Sequence, residues 1–394
     1  MPRWIAPLLA AACTLIGLSS PLRADPVPEA HRSNADLSST IEEGKLRRMI
    51  GQMVLVGFVG DSPDDDGYKR VVKQAEAGEI TGVIYLGRNI SSLDAVRQLN
   101  NGLQKYSASP LFIAIDQEGG RIQRLTGDIG FREVPSEATV AKTLSPDEAG
   151  AVYRNLASDL SSLGFNLNLA PVVDLNVNPA NPIIGKLGRS FSADPEEVEL
   201  YAKAFVEAHR SKGVLTALKH FPGHGSSTKD SHKGMADVTK TWSEKELQPY
   251  RNLIASGDVD MVMAAHVINA KLAFSPDIPS SLSKATLTGL LRENMHFKGV
   301  VISDDMQMQA ITDNVSFEDS VLRAVRAGND ILIFANDKHP DPAIPEKIAA
   351  LLSAEARRDP EMLDRIKKSY ENVMRLKRKL GATVSQDTTV VRER

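Results

Sequence analysis

Between positions 219 and 232 the chain reads Lys219-His220-Phe221-Pro222-Gly223-His224-Gly225, then Ser226-Ser227-Thr228-Lys229, then Asp230-Ser231-His232. This gathers three of its eight histidines with an aspartate and two lysines. An aspartate two residues before a histidine can accept a hydrogen bond from one ring nitrogen. That fixes the tautomer and leaves the other nitrogen to give or take a proton. The stretch follows the apolar run 214–218 and contains a Pro-Gly turn, so it reads as a buried strand opening into a polar loop. Loops positioned by a rigid scaffold are where chemistry concentrates. Two blander readings compete: histidines that only cap the loop, or a metal site made from His220, His224 and Asp230. No His-Glu-x-x-His or cysteine pattern accompanies the second.

Three further stretches carry chemistry. Asp116-Gln117-Glu118-Gly119-Gly120-Arg121-Ile122-Gln123-Arg124 puts carboxylates and two arginines around a double glycine. Gly188-Arg189-Ser190-Phe191-Ser192 follows a Pro- and Asn-rich loop, and Ile302-Ser303-Asp304-Asp305-Met306 brings acids out of an apolar run. Carboxylates and the fixed fork of Arg suit recognition of a polar, hydroxyl-rich ligand.

The elements that must position these residues follow from the apolar pattern. Short β-rich runs at 52–58, 82–86, 111–115, 165–170, 214–218, 261–265, 299–302 and 330–334 alternate with amphipathic stretches such as 92–106, 147–163, 195–212, 243–256, 284–294 and 317–327. Ser145-Pro146 and Asp194-Pro195 read as helix starts, and Gly257 and Gly328 as stops. Eight strands alternating with helices predict a single (β/α)8 TIM-type barrel. An open doubly wound sheet would want a glycine fingerprint after its first strand, and Gly57-Phe58-Val59-Gly60 does not make one. A barrel carries its site at the carboxyl ends of the strands. Asp116, Asp174, Lys219-His220, His266 and Asp304 all follow apolar runs.

Of 394 residues, 42% are hydrophobic and 25% charged, with net charge −3, so a self-sufficient core is expected and a nucleic-acid footprint is not. Residues 1–24 read as a signal peptide: Arg3, an apolar run at 5–18, and Leu22-Arg23-Ala24 before Asp25. Export to the periplasm or medium is the expectation. The only cysteine, Cys13, lies in that run in a poor lipoprotein context, so neither a disulfide nor lipid anchoring is expected. Residues 25–40 read as a flexible lead-in, 41–381 as the catalytic domain with a closing helix at 362–380, and 382–394 as a disordered tail. No other run has the length of a transmembrane span, and a monomer is expected.

In this order, the Asp116-Gln-Glu-Gly-Gly-Arg, Gly188-Arg-Ser-Phe, Lys219-His-Phe-Pro-Gly-His-Gly, Asp230-Ser-His and Ser303-Asp-Asp stretches resemble the glycoside hydrolase family 3 β-N-acetylglucosaminidases of the NagZ type. The likeness spans about residues 51–334. It implies a retaining hydrolase working through a covalent glycosyl-enzyme intermediate. In that scheme Asp304 is the nucleophile, His232 the general acid/base and Asp230 its partner, a departure from the usual two-carboxylate arrangement.

The resemblance further implies that Asp116, Arg124, Arg189, Lys219 and His220 bind the hydroxyls of a terminal N-acetylglucosamine. Asp174, Glu118 and Asp305 would orient neighbours, and His224 would shape the loop. Scaffold ion pairs are the competing reading for Arg121 and Arg189, and Met306 and Met308 suit the core. No metal or cofactor is implied, and the partner is a small N-acetylglucosamine-containing saccharide or muropeptide.

Two features depart from the pattern: the export signal, since the best-known recycling members are cytoplasmic, and the absence of an acidic residue from Ser226-Ser227-Thr228-Lys229. The alternatives are a family 3 β-glucosidase or β-xylosidase, which lacks the Asp-Ser-His element, and a phosphorylase. A carbohydrate-binding barrel would have lost one of Asp304, His232 or Asp230.

Overall fold

Eight short runs of β-branched and aliphatic residues form the strands of a computed structural model that describes residues 34–390. They are β1 (Val54–Gly57), β2 (Gly82–Tyr85), β3 (Phe112–Ile115), β4 (Leu167–Asn168), β5 (Leu215–Phe221), β6 (Met261–Ala264), β7 (Val300–Asp305) and β8 (Ile331–Phe334). Each pairs in parallel with its sequence neighbour, and β8 closes on β1, giving a closed barrel with helices between successive strands. This is the (β/α)8 TIM-type barrel that the alternation predicts.

Both faces of such a strand are buried, which is why the runs are apolar throughout rather than alternating. Parity still sorts the side chains. Leu55, Ile84, Phe112, Ala114, Leu215, Ala217, Met261, Met263, Val300, Ile302, Ile331 and Ile333 pack in one interior cluster. The residues alternating with them, such as Val54, Val83, Ile113, Val262, Val301 and Leu332, pack in a second cluster with the helices.

Helix ends follow local chemistry. Ser145 Oγ accepts from Glu148 N in a full capping box before Pro146–Ser162, and the Asp194 side chain accepts from Glu196 N before Pro195–Arg210. The stretch 243–256 divides into a 3-10 turn, Glu244–Leu247, and a helix, Gln248–Ala255. Pro249 lacks an N–H and so fits the first turn of a new helix rather than the middle of a longer one. Residues 284–294 wind as a π-helix, Ala285–Asn294. β4 keeps two residues only, and the Asn side chains replace ladder bonds there: Asn168 Oδ1 accepts from Gln117 N at 3.0 Å, and Asn166 Oδ1 from Ile113 N at 2.8 Å.

The amino end of the barrel is sealed by the helix Pro360–Val390, whose Val373, Leu376 and Leu380 join the interior cluster. Lys377 goes in with them, its Nζ 2.7 Å from Gln52 Oε1 and 5.2 Å from the Phe112 ring centroid. Burial pulls that amine down to about 7. Asp330 clamps the same helix through Arg365 at 2.6 Å and Asn372 at 3.1 Å.

The chain separates into Met1–Ile41 and Glu42–Arg394, and the barrel belongs to the second unit. The expected signal peptide at 1–24, with Cys13, lies outside the described residues. The helix Asn34–Gly51 starts inside the stretch read as lead-in, and Pro360–Val390 runs on into the stretch read as tail. Neither 34–41 nor 382–390 contains Pro, so nothing in them bars extension of the adjoining helix.

Candidate active site

Strand parity delivers three charged residues to the carboxyl end of the barrel. Phe112, Ala114 and Asp116 alternate inward, as do Leu215, Ala217 and Lys219, and Val300, Ile302 and Asp304. Period two would turn His220 and Asp305 away from that interior, yet both line the same cavity. The registers supply the reason. Ile302 pairs with Ile331 and Asp305 with Ile333, three steps on β7 against two on β8. Leu218 pairs with Val262 and Phe221 with Ala264, again three steps against two. Each of β5 and β7 therefore carries one extra residue at its functional end, and such bulges re-aim side chains.

The cavity holds about 200 Å³ and is lined by Asp116, Arg124, Arg189, Lys219, His220, His232, Asp304 and Asp305, with Leu86, Ile122, Leu169, Met263 and Met308 as apolar wall. All of the predicted site residues except Asp230 face it. Asp230 stands behind His232, its Oδ1 2.8 Å from the ring Nδ1 and 2.9 Å from the backbone N of the same residue. The His232 side chain is 58% exposed and that of Asp230 17%, so the dyad stands at the rim rather than the floor. Met306 and Met308 are both buried, as expected, and Met308, past the bulged end of β7, also borders the cavity.

On the floor a charge network spans three strands. Lys219 Nζ lies 2.9 Å from Asp116 Oδ1 and 2.6 Å from Glu118 Oε1. Arg189 grips Glu118 with two parallel bonds of 2.7 and 2.8 Å, and Arg124 Nη2 donates to Asp116 Oδ2 at 3.2 Å. Arg189 thus forms the scaffold ion pair that competed with a ligand role, while lining the cavity as well. Arg121 is exposed. Burial favours the neutral carboxyls, but Lys219 and Arg124 hold Asp116 far below the usual range, and Arg189 and Lys219 do the same for Glu118.

Asp304 shows the same balance. Burial alone would raise its carboxyl, but the His266, His220 and His232 rings and the Asp305 N–H at 2.8 Å outweigh it, so the group stays ionised at neutral pH. Asp305 beside it goes the other way, raised to about 6 by burial and by the Asp304 charge, against the Gln307 and Ala335 N–H groups it accepts from. His266 Nε2 sits 3.0 Å from the Asp305 carbonyl and its Nδ1 2.7 Å from Ser281 Oγ. Burial depresses this ring, and the network assigns it one proton, on Nε2.

Asp174 is the hub that motif reading placed only as an orienting residue. Its Oδ2 meets His220 Nδ1 at 2.6 Å and its Oδ1 accepts from His224 N at 2.7 Å. Glu246, which no motif marks, lies behind the same loop, 1% exposed, both oxygens without a hydrogen-bond partner. Among the described residues, no three His, Cys, Asp or Glu side chains group as metal ligands.

The sequence matches the Glycosyl hydrolase family 3 N terminal domain over residues 45–376. A beta-hexosaminidase of Idiomarina loihiensis is 34% identical over 273 residues, covering 68% of this chain and 79% of that protein. A glycoside hydrolase family 3 beta-N-acetylglucosaminidase from Paenibacillus sp. superposes with TM-score 0.77 at 32% identity, covering 85% of this chain. The chain spans only 62% of the length of that structure. A beta-N-acetylhexosaminidase from Beutenbergia cavernae superposes with TM-score 0.75 at 30% identity, covering 84% of this chain and 98% of that one. The chain therefore belongs to glycosyl hydrolase family 3, with the family's N-terminal domain at residues 45–376.

Proposed function

We propose that this chain is a retaining β-N-acetylhexosaminidase that removes terminal β-linked N-acetylglucosamine from peptidoglycan or chitin-type fragments. One observation carries the reading: an ionised carboxylate on the floor, Asp304, and an imidazole oriented by a carboxylate at the rim, His232 with Asp230, line a single cavity. The relatives named beta-hexosaminidase and beta-N-acetylglucosaminidase support the same substrate class.

In this mechanism the sugar's hydroxyls replace water on the network of Asp116, Lys219, Arg124, Arg189 and His220. Asp304 Oδ attacks the anomeric carbon as the bond to the leaving oxygen breaks. Protonated His232, its Nδ1–H donated to Asp230, passes the Nε2 proton to that oxygen. The ring is then neutral with its Nε2 lone pair free. It takes a proton from water, which attacks the anomeric carbon and frees Asp304. Asp230 keeps the tautomer correct in both halves.

The N-terminal pattern at 1–24 supports a site of action outside the cytoplasm. Among the described residues, no helix is long and apolar enough to cross a membrane. Proton NMR of a β-N-acetylglucosaminide digest tests the reading. The β-anomer of N-acetylglucosamine should appear first and mutarotate later; an initial α-anomer would contradict retention. Sugar 1-phosphate formed only with added phosphate would make the chain a phosphorylase.

A further inference from the structure

The Asp230-Ser231-His232 segment points its outer two side chains at each other and its middle one inward. Of residues 228–235 only Ser231 is buried. Its hydroxyl lies 3.0 Å from His224 Nε2, and both residues are 1% exposed. His224 is itself fixed from the other side. Its N–H donates to Asp174 Oδ1 at 2.7 Å, and its carbonyl accepts from Asn181 Nδ2 at 2.8 Å. At Gly225 a Cβ would fall 1.8 Å from the Leu175 carbonyl oxygen, so this part of the loop is pressed against its support.

His224 Nδ1 is buried without a partner. A stranded N–H costs more there than a stranded lone pair, and burial pulls the ring down to about 4. The single ring proton therefore sits on Nε2 and is donated to Ser231 Oγ. His224 is absent from the cavity lining, so its contact with Ser231 acts on the segment and not on a bound sugar.

We propose that His224 is a positioning residue for proton transfer: through Ser231 it pins the segment that carries Asp230 and His232, and so sets where the His232 ring stands over Asp304. Asp174 thereby links two functions, since the same carboxylate orients His220 on the floor and seats His224 under the rim. This inference rests on the reading of His232 as the proton donor. Displacing a group that acts only in proton transfer penalises substrates in proportion to how much their leaving oxygen needs a proton.

The experiment measures kcat/KM on a series of aryl β-N-acetylglucosaminides graded in leaving-group acidity, using the full chain. The variants are His224→Ala, Ser231→Ala, their double and His232→Ala. kcat/KM reports the step in which the glycosidic bond breaks. His224→Ala and Ser231→Ala should each lose about tenfold or more on poor leaving groups and much less on good ones. The double should lose little beyond either single, because one hydrogen bond is removed in all three.

Losses independent of leaving group, or additive losses in the double, would overturn the inference. A flat profile for His232→Ala would instead overturn the reading it rests on. Should His224→Ala fail to fold, Ser231→Ala, which removes one oxygen, gives the same comparison.

Discussion

Lys219, on β5, reaches past the intervening β4 to donate to Asp116 at the end of β3 at 2.9 Å, while its Nζ also lies 2.6 Å from Glu118. One ammonium thus bridges the partly buried Asp116 and the buried Glu118, with Arg124 paired to the first and Arg189 to the second. Lys219→Met should leave that pair short of one positive charge, at about 3–5 kcal/mol. The thermal midpoint should fall and KM should rise. The gap between variant and parent should narrow as pH drops, because both carboxyls have depressed values, so their contribution is present at neutral pH and lost as they take up protons. Calorimetry from pH 7 to 3 checks this; a constant gap would show that Lys219 contributes packing rather than charge.

Much of this site is written into the spacing of the chain. Asp116, Lys219 and Asp304 each continue an inward parity two residues past an apolar partner, and the strand ends are visible from the runs themselves. The extra residues that bring in His220 and Asp305 are not visible, since a bulge depends on the register of the neighbouring strand. The two-residue strands Ala236–Asp237 and Val267–Ile268 are too short to leave a periodic signal, although they tie the dyad segment to the loop after β6. Glu246 has no motif around it. Its side chain lies against Gly223, an approach that only the folded loop creates.

Asp230→Asn should cost on the order of a hundredfold or more in kcat with little change in fold. The amide can present its oxygen to the ring but cannot stabilise the imidazolium. Steady-state kinetics beside a far-ultraviolet circular dichroism spectrum checks it. Activity within a factor of about two of the parent would mean that His232 needs no partner.

Glu246 supplies a pH prediction of known sign. Burial, aided by the Asp174 charge, raises its carboxyl from the usual 4.5 to about 7. A raised value means stability that is full below 4.5 and lost as pH rises through 7. Glu246→Gln should therefore gain on the parent in thermal midpoint between pH 6 and 8, and little at pH 4. A parent whose midpoint does not depend on Glu246 across that window would contradict the assignment.

Retention with Asp304 as nucleophile requires a covalent bond between Asp304 and the sugar, and trapping it is the most direct measurement. A 5-fluorinated β-N-acetylglucosaminyl fluoride should load the enzyme faster than the intermediate breaks down. Digestion and mass spectrometry should then find the added sugar on the peptide bearing Asp304, and Asp304→Ala should take up none. An adduct on another residue, or steady turnover with no adduct and an inverted product, would contradict it.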